Sequence, residues 1–211
     1  LDKRIINAIS NIGYTKPTPI QHKTIPKIIE GRDIMGLAQT GTGKTAAFTI
    51  PILQKLLKGP RRQLRALILA PTRELAEQIH LTSVNLGQNT GLRSITIYGG
   101  VSKNSQISKL RKGIDIAIAC PGRLLDLVGD KHIDLSTIEI LVLDESDRMC
   151  DMGFIPDIRR IIKLLPHKRQ TLCFAATMPE DIKNLTNQIL SNPVKIQIGA
   201  ISPTKLVDHT L

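Results

Sequence analysis

The hydrophobic positions of this chain fall into short runs that predict buried β-strands. Almost every residue within these runs is apolar, with little alternation between polar and apolar positions, which is typical of strands covered on both faces. Such strands belong to sheets that are packed between helices. The predicted strands cover residues 34–37, 66–70, 94–98, 114–119, 138–143, 171–174 and 194–198.

Longer segments between these runs have apolar residues three and four positions apart, the spacing of a helix with one buried side. Regular alternation of strands and helices predicts an α/β fold, with a mainly parallel twisted sheet and helices on both faces. No internal repeat or low-complexity segment interrupts it, so we predict one domain over residues 1–200. The predicted helices cover residues 45–57, 73–86, 103–111, 122–128, 155–164 and 180–189.

The composition indicates a globular protein that attracts polyanions. The 211 residues carry a formal net charge of +11, and 41% of them are hydrophobic. No apolar run approaches the length of a membrane span, so we expect a cytoplasmic protein with no membrane partner. Nucleic acid is the commonest polyanion, and only 2% of the residues are aromatic. Contacts to a nucleic-acid backbone are therefore expected, rather than a platform for stacked bases.

A glycine-rich segment, Ala38 to Thr45, lies between the first predicted strand and the first predicted helix. Its glycines let backbone N–H groups face phosphate oxygens, and the following helix N-terminus favours an anion. In such a loop the lysine contacts the β- and γ-phosphates, and the final hydroxyl ligates Mg²⁺. The candidate nucleotide-binding residues are Thr40, Gly41, Thr42, Gly43, Lys44, Thr45 and Ala46.

Two adjacent carboxylates, Asp144 and Glu145, follow the strand predicted at residues 138–143. The first can hold Mg²⁺, partly through water, and the second can position and polarise an attacking water. Lys44, Asp144 and Glu145 are the candidate catalytic residues, and Thr45 and Asp144 are the candidate Mg²⁺ ligands. Together the two segments predict a nucleoside triphosphatase.

Most of the polar or glycine-rich segments follow a predicted strand directly. The carboxyl ends of parallel strands meet at one edge of a sheet, where ligands bind in folds of this class. We therefore expect these segments to form a functional edge. They are 38–45, 71–76, 99–100, 120–123, 144–147 and 175–177.

Taken in this order, the segments resemble those of the first RecA-like domain of a DEAD-box RNA helicase. The matching sequences are Pro-Thr-Arg-Glu-Leu-Ala at 71–76, Gly-Gly at 99–100, Pro-Gly-Arg at 121–123, Asp-Glu-Ser-Asp at 144–147 and Ala-Ala-Thr at 175–177, besides the glycine-rich loop. Residues 13–21, which end in Pro-Thr-Pro-Ile-Gln, resemble the adenine-recognition segment of that family. The resemblance covers nearly the whole chain and implies a RecA-like P-loop NTPase domain.

The resemblance implies that ATP or ADP binds with Mg²⁺ and that Gln21 recognises adenine. A glutamine amide offers one donor and one acceptor, which match the N6 and N7 edge of adenine. Tyr14 would stack on the base, and Lys16 and Thr18 would support the loop. Without the resemblance, the prolines near Gln21 indicate only the start of a helix.

The resemblance also implies roles in coupling and in RNA binding. Asp147 would connect the acidic segment to Ala175 and Thr177, linking nucleotide state to RNA binding. The RNA contacts would go to the backbone and be largely independent of sequence. Without the resemblance, these segments are equally compatible with a helix start and a turn. The implied RNA-binding residues are Pro71, Thr72, Arg73, Gly99, Gly100, Pro121, Gly122 and Arg123.

Three positions depart from the family pattern. Ser146 replaces alanine, and its hydroxyl is expected to be tolerated if the site is partly wet. Ala175 replaces serine, which removes a possible hydrogen bond to Asp147 and is expected to weaken coupling more than ATP binding. Cys120 replaces threonine, which removes a possible phosphate contact.

The sequence thus predicts the ATP-binding domain of an ATP-dependent RNA helicase that clamps and unwinds short RNA duplexes. Two alternatives remain: an RNA clamp or assembly platform with vestigial hydrolysis, and another P-loop ATPase that acts on DNA or RNA. Residues 201–211 are expected to begin an interdomain linker. A second RecA-like domain, the expected partner, would lie outside this chain, so this domain alone should be nearly inactive.

Overall fold

All seven predicted strands are confirmed, with ends that differ from the predictions by at most two residues. The computed structural model describes residues 1–199. In this part of the chain the strands are β1 (Ile34–Leu37), β2 (Ala66–Leu69), β3 (Ser94–Ile97), β4 (Ile116–Ala119), β5 (Ile140–Leu143), β6 (Gln170–Ala175) and β7 (Val194–Gln197).

These strands form one parallel sheet in the order β3-β4-β2-β5-β6-β1-β7. Strand β1, which leads into the glycine-rich loop, pairs with β6 and β7. Strand β5, which leads into the acidic segment, pairs with β2 and β6. The strand β6 therefore lies between the two strands that carry the predicted nucleotide site.

The six predicted helices are present, and three further helices were not predicted. The helices within residues 1–199 are α1 (Lys3–Asn11), α2 (Pro19–Ile29), α3 (Lys44–Leu56), α4 (Arg73–Leu86), α5 (Lys103–Arg111), α6 (Pro121–Gly129), α7 (Ser146–Asp151), α8 (Ile155–Lys163) and α9 (Glu180–Ile189).

The three additional helices begin with recognisable local signals. Asp2 caps α1, because its carboxylate accepts a hydrogen bond from the Arg4 backbone N–H. Helix α2 has Pro19 at its first position, where a missing N–H costs nothing. Helix α7 has only six residues, and it starts inside the acidic segment. Such a helix is too short to produce a clear hydrophobic period.

The sheet has a separate hydrophobic core on each face. Along β2, Leu67 and Leu69 point into one core, whereas Ala66 and Ile68 point into the other. Helices α5 to α9 cover the first face, and α1 to α4 cover the second. Both faces of every central strand are therefore buried, which explains the nearly continuous apolar runs in the sequence.

The last part of the chain contains one prediction that the structure does not address. Residues 201–211, the predicted start of a linker, lie outside the described residues. Among residues 1–199, no helix combines the length and the apolar character needed to cross a membrane.

Candidate functional site

The predicted site residues lie along the edge of the sheet at which the strands end. We call this edge the carboxyl rim. It comprises the segments 38–45, 71–74, 98–103, 120–123, 144–148 and 176–180, together with residues 13–21. The strand order divides it in two, because β5, β6 and β1 are neighbours and so are β3, β4 and β2. The first group carries the predicted nucleotide residues, and the second carries the predicted RNA residues.

The glycine-rich loop has the backbone conformation that the sequence predicts for a phosphate cradle. Gly41 and Gly43 have φ angles of 83° and 92°, in the left-handed region that favours glycine. Gly43 caps helix α3, so the N-terminus of that helix faces the loop. A Cβ atom on Gly41 would meet nothing within 4 Å, so open space lies beside the loop backbone. That space and the positive end of the helix fit a bound phosphate.

Lys44 is held inside this loop rather than extended into solvent. Its side-chain ammonium donates a hydrogen bond of 2.7 Å to the Ala38 carbonyl, and the residue is only 6% exposed. The next residue, Thr45, is half-buried and forms no side-chain hydrogen bond within the described chain. A charged donor and an unengaged hydroxyl therefore lie at successive positions at the start of α3.

Asp144 is buried at the end of β5 and is 1% exposed. Burial raises the pKa of its carboxyl to about 6, although the positive charge of Lys44 opposes that shift and the neighbouring Glu145 adds to it. Its backbone N–H donates to the Leu69 carbonyl at 3.0 Å, at the end of β2. A carboxylate that burial destabilises would be stabilised by a cation, as a metal ligand requires.

Glu145 points away from Asp144 because its backbone takes an unusual conformation. It has φ 50° and ψ 49°, in the left-handed region, at the start of helix α7. Its carboxylate accepts a hydrogen bond of 3.2 Å from the Thr40 hydroxyl and lies 3.4 Å from Arg148. The acidic segment thus contacts the glycine-rich loop directly. Non-glycine residues in this region are uncommon and concentrate at functional sites.

Asp147 joins the acidic segment to the end of β6. One carboxylate oxygen accepts three hydrogen bonds, from the Ala176 N–H at 3.0 Å, the Thr177 N–H at 2.8 Å and the Thr177 hydroxyl at 3.1 Å. Ala175 takes no part in this link, because its methyl group is fully buried in the core. The residues that follow β6 are therefore attached to the acidic segment by the Asp147 carboxylate.

Gln21 attaches the amino-terminal segment to the glycine-rich loop. Its amide N–H donates to the Gly43 carbonyl at 3.2 Å, and its amide oxygen accepts from the Thr18 N–H at 3.0 Å. The approach is close enough that a Cβ on Gly43 would lie 2.7 Å from the Gln21 nitrogen. One amide hydrogen and one oxygen lone pair remain for a base.

The other two residues of the predicted adenine segment are more open. Tyr14 is 44% exposed, and Lys16 is also exposed. Neither side chain forms a hydrogen bond within residues 1–199. The Thr18 hydroxyl, also expected to support this segment, is buried without a hydrogen-bond partner among the described residues. It lies beside Gly43, at 3.0 Å from the position of a Cβ there.

The three predicted RNA segments lie on the neighbouring half of the rim. Pro71 is buried, and the Thr72 hydroxyl caps helix α4 by accepting from the Leu75 N–H. Arg73 is exposed and pairs with Glu74 at 2.9 Å. The exposed guanidinium and the helix N-terminus can both contact a phosphate.

Arg123 connects the other two RNA segments. Its guanidinium donates to the Val101 carbonyl at 3.2 Å and lies 3.4 Å from Asp126. The segment before it, Pro121 and Gly122, forms the first turn of α6. A Cβ on Gly99, Gly100 or Gly122 would meet nothing within 4 Å, so the backbone there is open to close approach.

Comparison with known proteins identifies the family. The family model described as DEAD/DEAH box helicase matches residues 18–185. The chain belongs to the DEAD/DEAH box helicase family. It is 46% identical over 200 residues to DEAD-box ATP-dependent RNA helicase 30 of Arabidopsis thaliana, covering 93% of this chain and 34% of that protein. It is 45% identical over 199 residues to DEAD-box ATP-dependent RNA helicase RhpA of Helicobacter pylori, covering 94% and 40%.

Solved structures agree with this assignment. A hypothetical ATP-dependent RNA helicase from Sulfolobus tokodaii matches with a TM-score of 0.87 and 37% identity, over 94% of this chain and 57% of that chain. A DEAD-box protein from Methanococcus jannaschii matches with a TM-score of 0.87 and 38% identity, over 93% and 54%. The RecA-like α/β fold predicted from the sequence is confirmed. The chain spans about a third to two fifths of the curated relatives it matches.

One departure from the DEAD-box pattern differs from the expectation. Ser146 is fully buried, so its hydroxyl is accommodated by protein groups rather than by a partly wet site. It donates to the Phe174 carbonyl at 3.2 Å and lies 3.3 Å from the Cys173 sulfur. At a second departure, Cys120 precedes helix α6 and forms no side-chain capping bond.

Sequence reasoning missed the internal attachments of this DEAD-box domain. It did not identify the Ala38 carbonyl as the acceptor of Lys44 or Ser146 as a link to β6. The sequence does predict a supporting role for Thr18, which forms half of a helix capping pattern with Gln21 three residues later.

Proposed function

We propose that this chain is the ATP-binding domain of an ATP-dependent RNA helicase, which couples ATP binding and hydrolysis to clamping and unwinding short RNA duplexes. The observation that carries the proposal is the contact between the segments that follow β1 and β5, the strands on either side of β6. The Thr40 hydroxyl, after β1, donates to Glu145, after β5, and Asp147 binds the residues at the end of β6. The proposed nucleotide contacts, the acidic residues and the proposed link to the RNA site therefore all lie on the carboxyl rim.

The loop residues supply the proposed ATP contacts. Residues 40–46 would surround the phosphates, with the N–H groups of Gly41 and Gly43 and the Lys44 ammonium as donors. Lys44 would exchange its bond to the Ala38 carbonyl for a phosphate oxygen. The Thr45 hydroxyl and the Asp144 carboxylate are oxygen ligands of the kind that Mg²⁺ accepts while retaining several waters. When bound, Mg²⁺ would neutralise charge on the β- and γ-phosphates.

Glu145 is the proposed residue for positioning the attacking water. Its left-handed backbone directs the carboxylate toward Thr40 and away from the buried Asp144, so the two acids can serve different ligands. Gln21 and Tyr14 would bind adenine, with Lys16 supporting their segment. Asp147 and Thr177 would couple this half of the rim to RNA.

The other half of the rim would bind the RNA backbone. Thr72 and Arg73 stand at the start of α4, and Gly122 and Arg123 lie in the first turn of α6, so both helix N-termini can face phosphates. Gly99 and Gly100 leave their backbone open, and Pro71 and Pro121 fix the starts of the two helices. Such contacts read no bases, so recognition would be largely independent of sequence.

We propose that a second RecA-like domain completes the active site. The relatives named as RNA helicases are about two and a half to three times as long as the matched region. A transition-state arginine supplied from another domain is worth about 10³–10⁵ in turnover in such enzymes. This chain alone should therefore bind ATP and ADP and hydrolyse ATP very slowly.

The first test is a calorimetric titration of the chain with Mg·ADP and with Mg·GDP, repeated for Gln21→Ala. We expect a preference for ADP that is lost in the variant. Gln188→Ala, which changes an exposed glutamine of α9, is the matched control and should keep the preference. Equal binding of the two nucleotides by the unmodified chain would reduce the proposal to a P-loop phosphatase without adenine recognition.

The alternative of an RNA clamp with vestigial hydrolysis predicts a different result in the longer protein. RNA-stimulated ATP turnover there would favour the helicase, and RNA binding without turnover would favour the clamp. Equal stimulation by DNA and RNA would instead favour a broader nucleic-acid-dependent ATPase. The acid–loop contact between Glu145 and Thr40 favours the helicase, because a clamp has no need to place a carboxylate there.

A further inference from the structure

The positive charge of the chain is concentrated on the edge of the sheet opposite the carboxyl rim. We call this edge the amino rim: the segments 27–33, 55–65, 87–93, 109–115, 129–139, 163–170 and 190–193, which precede the strands. These segments contain fifteen of the 29 lysines and arginines but only six of the 18 acidic residues. The carboxyl rim contains six basic and five acidic residues. The excess charge that predicts a polyanion is thus largely absent from the predicted RNA site.

The acidic residues of the amino rim are mostly engaged within the protein. Asp33 is buried, and its two carboxylate oxygens accept from the backbone N–H groups of Thr171 and Ser191. Asp115 is buried as well and accepts from those of Arg62 and Arg93. Both carboxylates hold the starts of neighbouring strands together. They face inward, so they neutralise little of the charge at the surface.

Most basic side chains of the amino rim have no acidic partner. Only Lys27 and Arg65 of the fifteen form ion pairs within residues 1–199, with Glu30 and Glu139. Several of the others are exposed and form no side-chain hydrogen bond with the described residues. These are Lys58, Arg61, Arg62, Lys109, Arg111, Lys112, Lys131, Lys163 and Lys168.

Helix ends explain part of this distribution but not all of it. Helices α2, α3, α5 and α8 end at the amino rim, and cations near helix C-termini are stabilising. Lys109 and Lys163 lie in such final turns. Arg61 and Lys168 lie in loops beyond the helix ends, where this effect has faded. The helix ends therefore do not explain why basic residues are so frequent in those loops.

We propose that the amino rim is a second RNA-binding surface, which holds the phosphate backbone of RNA that extends beyond the segment bound at the carboxyl rim. Exposed, unpaired lysines and arginines spread over several loops suit a ligand with regularly spaced single charges. The seven strands place the outermost loops about 29 Å apart, at about 4.8 Å per strand. The inference rests on the proposed function only in taking RNA as the polyanion.

The distance between the rims gives the proposal a dependence on RNA length. Across the sheet, strands of four to six residues separate the rims by about 13–20 Å, and the rims meet beside α5 and α6, where Lys103 pairs with Asp130. A strand of about six nucleotides can occupy the carboxyl rim alone, because one strand of a duplex advances only about 3.4 Å along the helix axis per phosphate. An RNA of about thirty nucleotides can reach both rims, and the second contact then benefits from a high effective concentration.

The test is the triple variant Arg61→Gln/Lys112→Gln/Lys168→Gln, which removes one exposed charge from each of three loops. The matched control, Lys23→Gln/Arg159→Gln/Lys183→Gln, removes one exposed arginine and two exposed lysines from helices α2, α8 and α9. Both variants have the same net charge. Affinity for labelled six- and thirty-nucleotide RNA is measured without nucleotide over a series of salt concentrations, and unchanged Mg·ADP affinity checks folding.

We expect the triple variant of the amino rim to bind the thirty-nucleotide RNA about tenfold more weakly. The slope of log affinity against log salt concentration should also become shallower by about two, because each of the three lost contacts to a single-strand phosphate contributes about 0.7. The control variant should change far less, and the six-nucleotide RNA should bind all three proteins equally. Equal losses in both variants would overturn the proposal, because net charge alone would then explain binding. No loss in the rim variant would overturn it as well. Neither result would affect the ADP preference that tests the proposed function.

Discussion

The Gln21 side chain donates a hydrogen bond of 3.2 Å to the Gly43 carbonyl, so a residue before the first strand supports the loop that follows it. The contact needs a glycine at position 43, because a Cβ there would lie 2.7 Å from the Gln21 nitrogen and 3.0 Å from the Thr18 hydroxyl. A change in the amino-terminal segment is therefore transmitted to the phosphate loop without passing through a nucleotide.

Gly43→Ala should destabilise the chain more than Gly41→Ala does. Both positions have positive φ, which costs a non-glycine residue about 1–2 kcal/mol. Only position 43 adds a collision with Gln21 and Thr18. Urea unfolding of the two variants gives the comparison. Equal free energies of unfolding would contradict the close contact seen at Gly43.

A double variant separates the collision from the backbone strain. In the Gly43→Ala background, Gln21→Ala should cost less stability than it costs alone, because the shorter side chain removes part of the collision. The free energies of unfolding of the two single variants and the double variant provide the measurement. If the free-energy changes of the two single variants simply add, the Gln21 side chain moves away from the new Cβ at no cost in stability.

Asp147→Asn should weaken coupling while leaving nucleotide binding nearly intact. One Asp147 oxygen accepts three hydrogen bonds from Ala176 and Thr177, and bonds to a charged acceptor are stronger than those to a neutral amide. In the longer protein, we expect reduced RNA-stimulated ATP turnover and Mg·ADP affinity within about threefold, a change below 1 kcal/mol.

Thr177→Val is the matched control for that change, since it removes one of the three donors and keeps both backbone N–H groups. It should reduce turnover less than Asp147→Asn does. A larger effect of Thr177→Val would show that the threonine hydroxyl acts through another partner, such as RNA.

Ser146→Ala should lower thermal stability although the family pattern has alanine there. The serine hydroxyl is buried and donates to the Phe174 carbonyl, and a buried hydrogen bond contributes about 0.5–1.5 kcal/mol. For a chain of this length, that corresponds to a fall in Tm of a few degrees, at about 2–4 °C per kcal/mol. Ser105→Ala, at an exposed serine of α5, should leave Tm unchanged.

Cys120→Thr should raise stability, because it supplies a missing helix cap. Cys120 precedes α6 in an extended conformation and forms no side-chain capping bond. Threonine at this position is worth about 1 kcal/mol, whereas Cys120→Ala should give no gain. Thermal unfolding of the two variants decides the matter, and an equal Tm for both would contradict a capping role.

The strands were predictable because both faces of the sheet are covered. Residues such as Leu67 and Ile68 are apolar in succession since they point into different cores, and this leaves a clear run in the sequence. The glycine-rich loop was equally clear, because Gly41 and Gly43 are required by backbone conformation. Signals that depend on one chain segment are therefore visible in sequence.

The missed features depend on contacts between distant segments. Ser146 bonds to Phe174 on a neighbouring strand, and its burial could not be inferred from a polar residue in an acidic segment. Helix α7 begins at the unusual backbone of Glu145 and is too short to show a period. The uneven charge of the two rims required the sheet topology, because the basic residues come from six separate segments.

The buried carboxylates of Asp33 and Asp115 hold the backbone at the starts of the strands, whereas exposed side chains such as Arg61 and Lys168 form no side-chain hydrogen bond with the described residues. We therefore expect these exposed positions of the amino rim to change at little cost in stability. The carboxyl rim lacks this freedom, because its loops must keep their attachments to work. We therefore expect substitutions of exposed amino-rim residues to leave the fold intact more often than substitutions in the loops of the carboxyl rim.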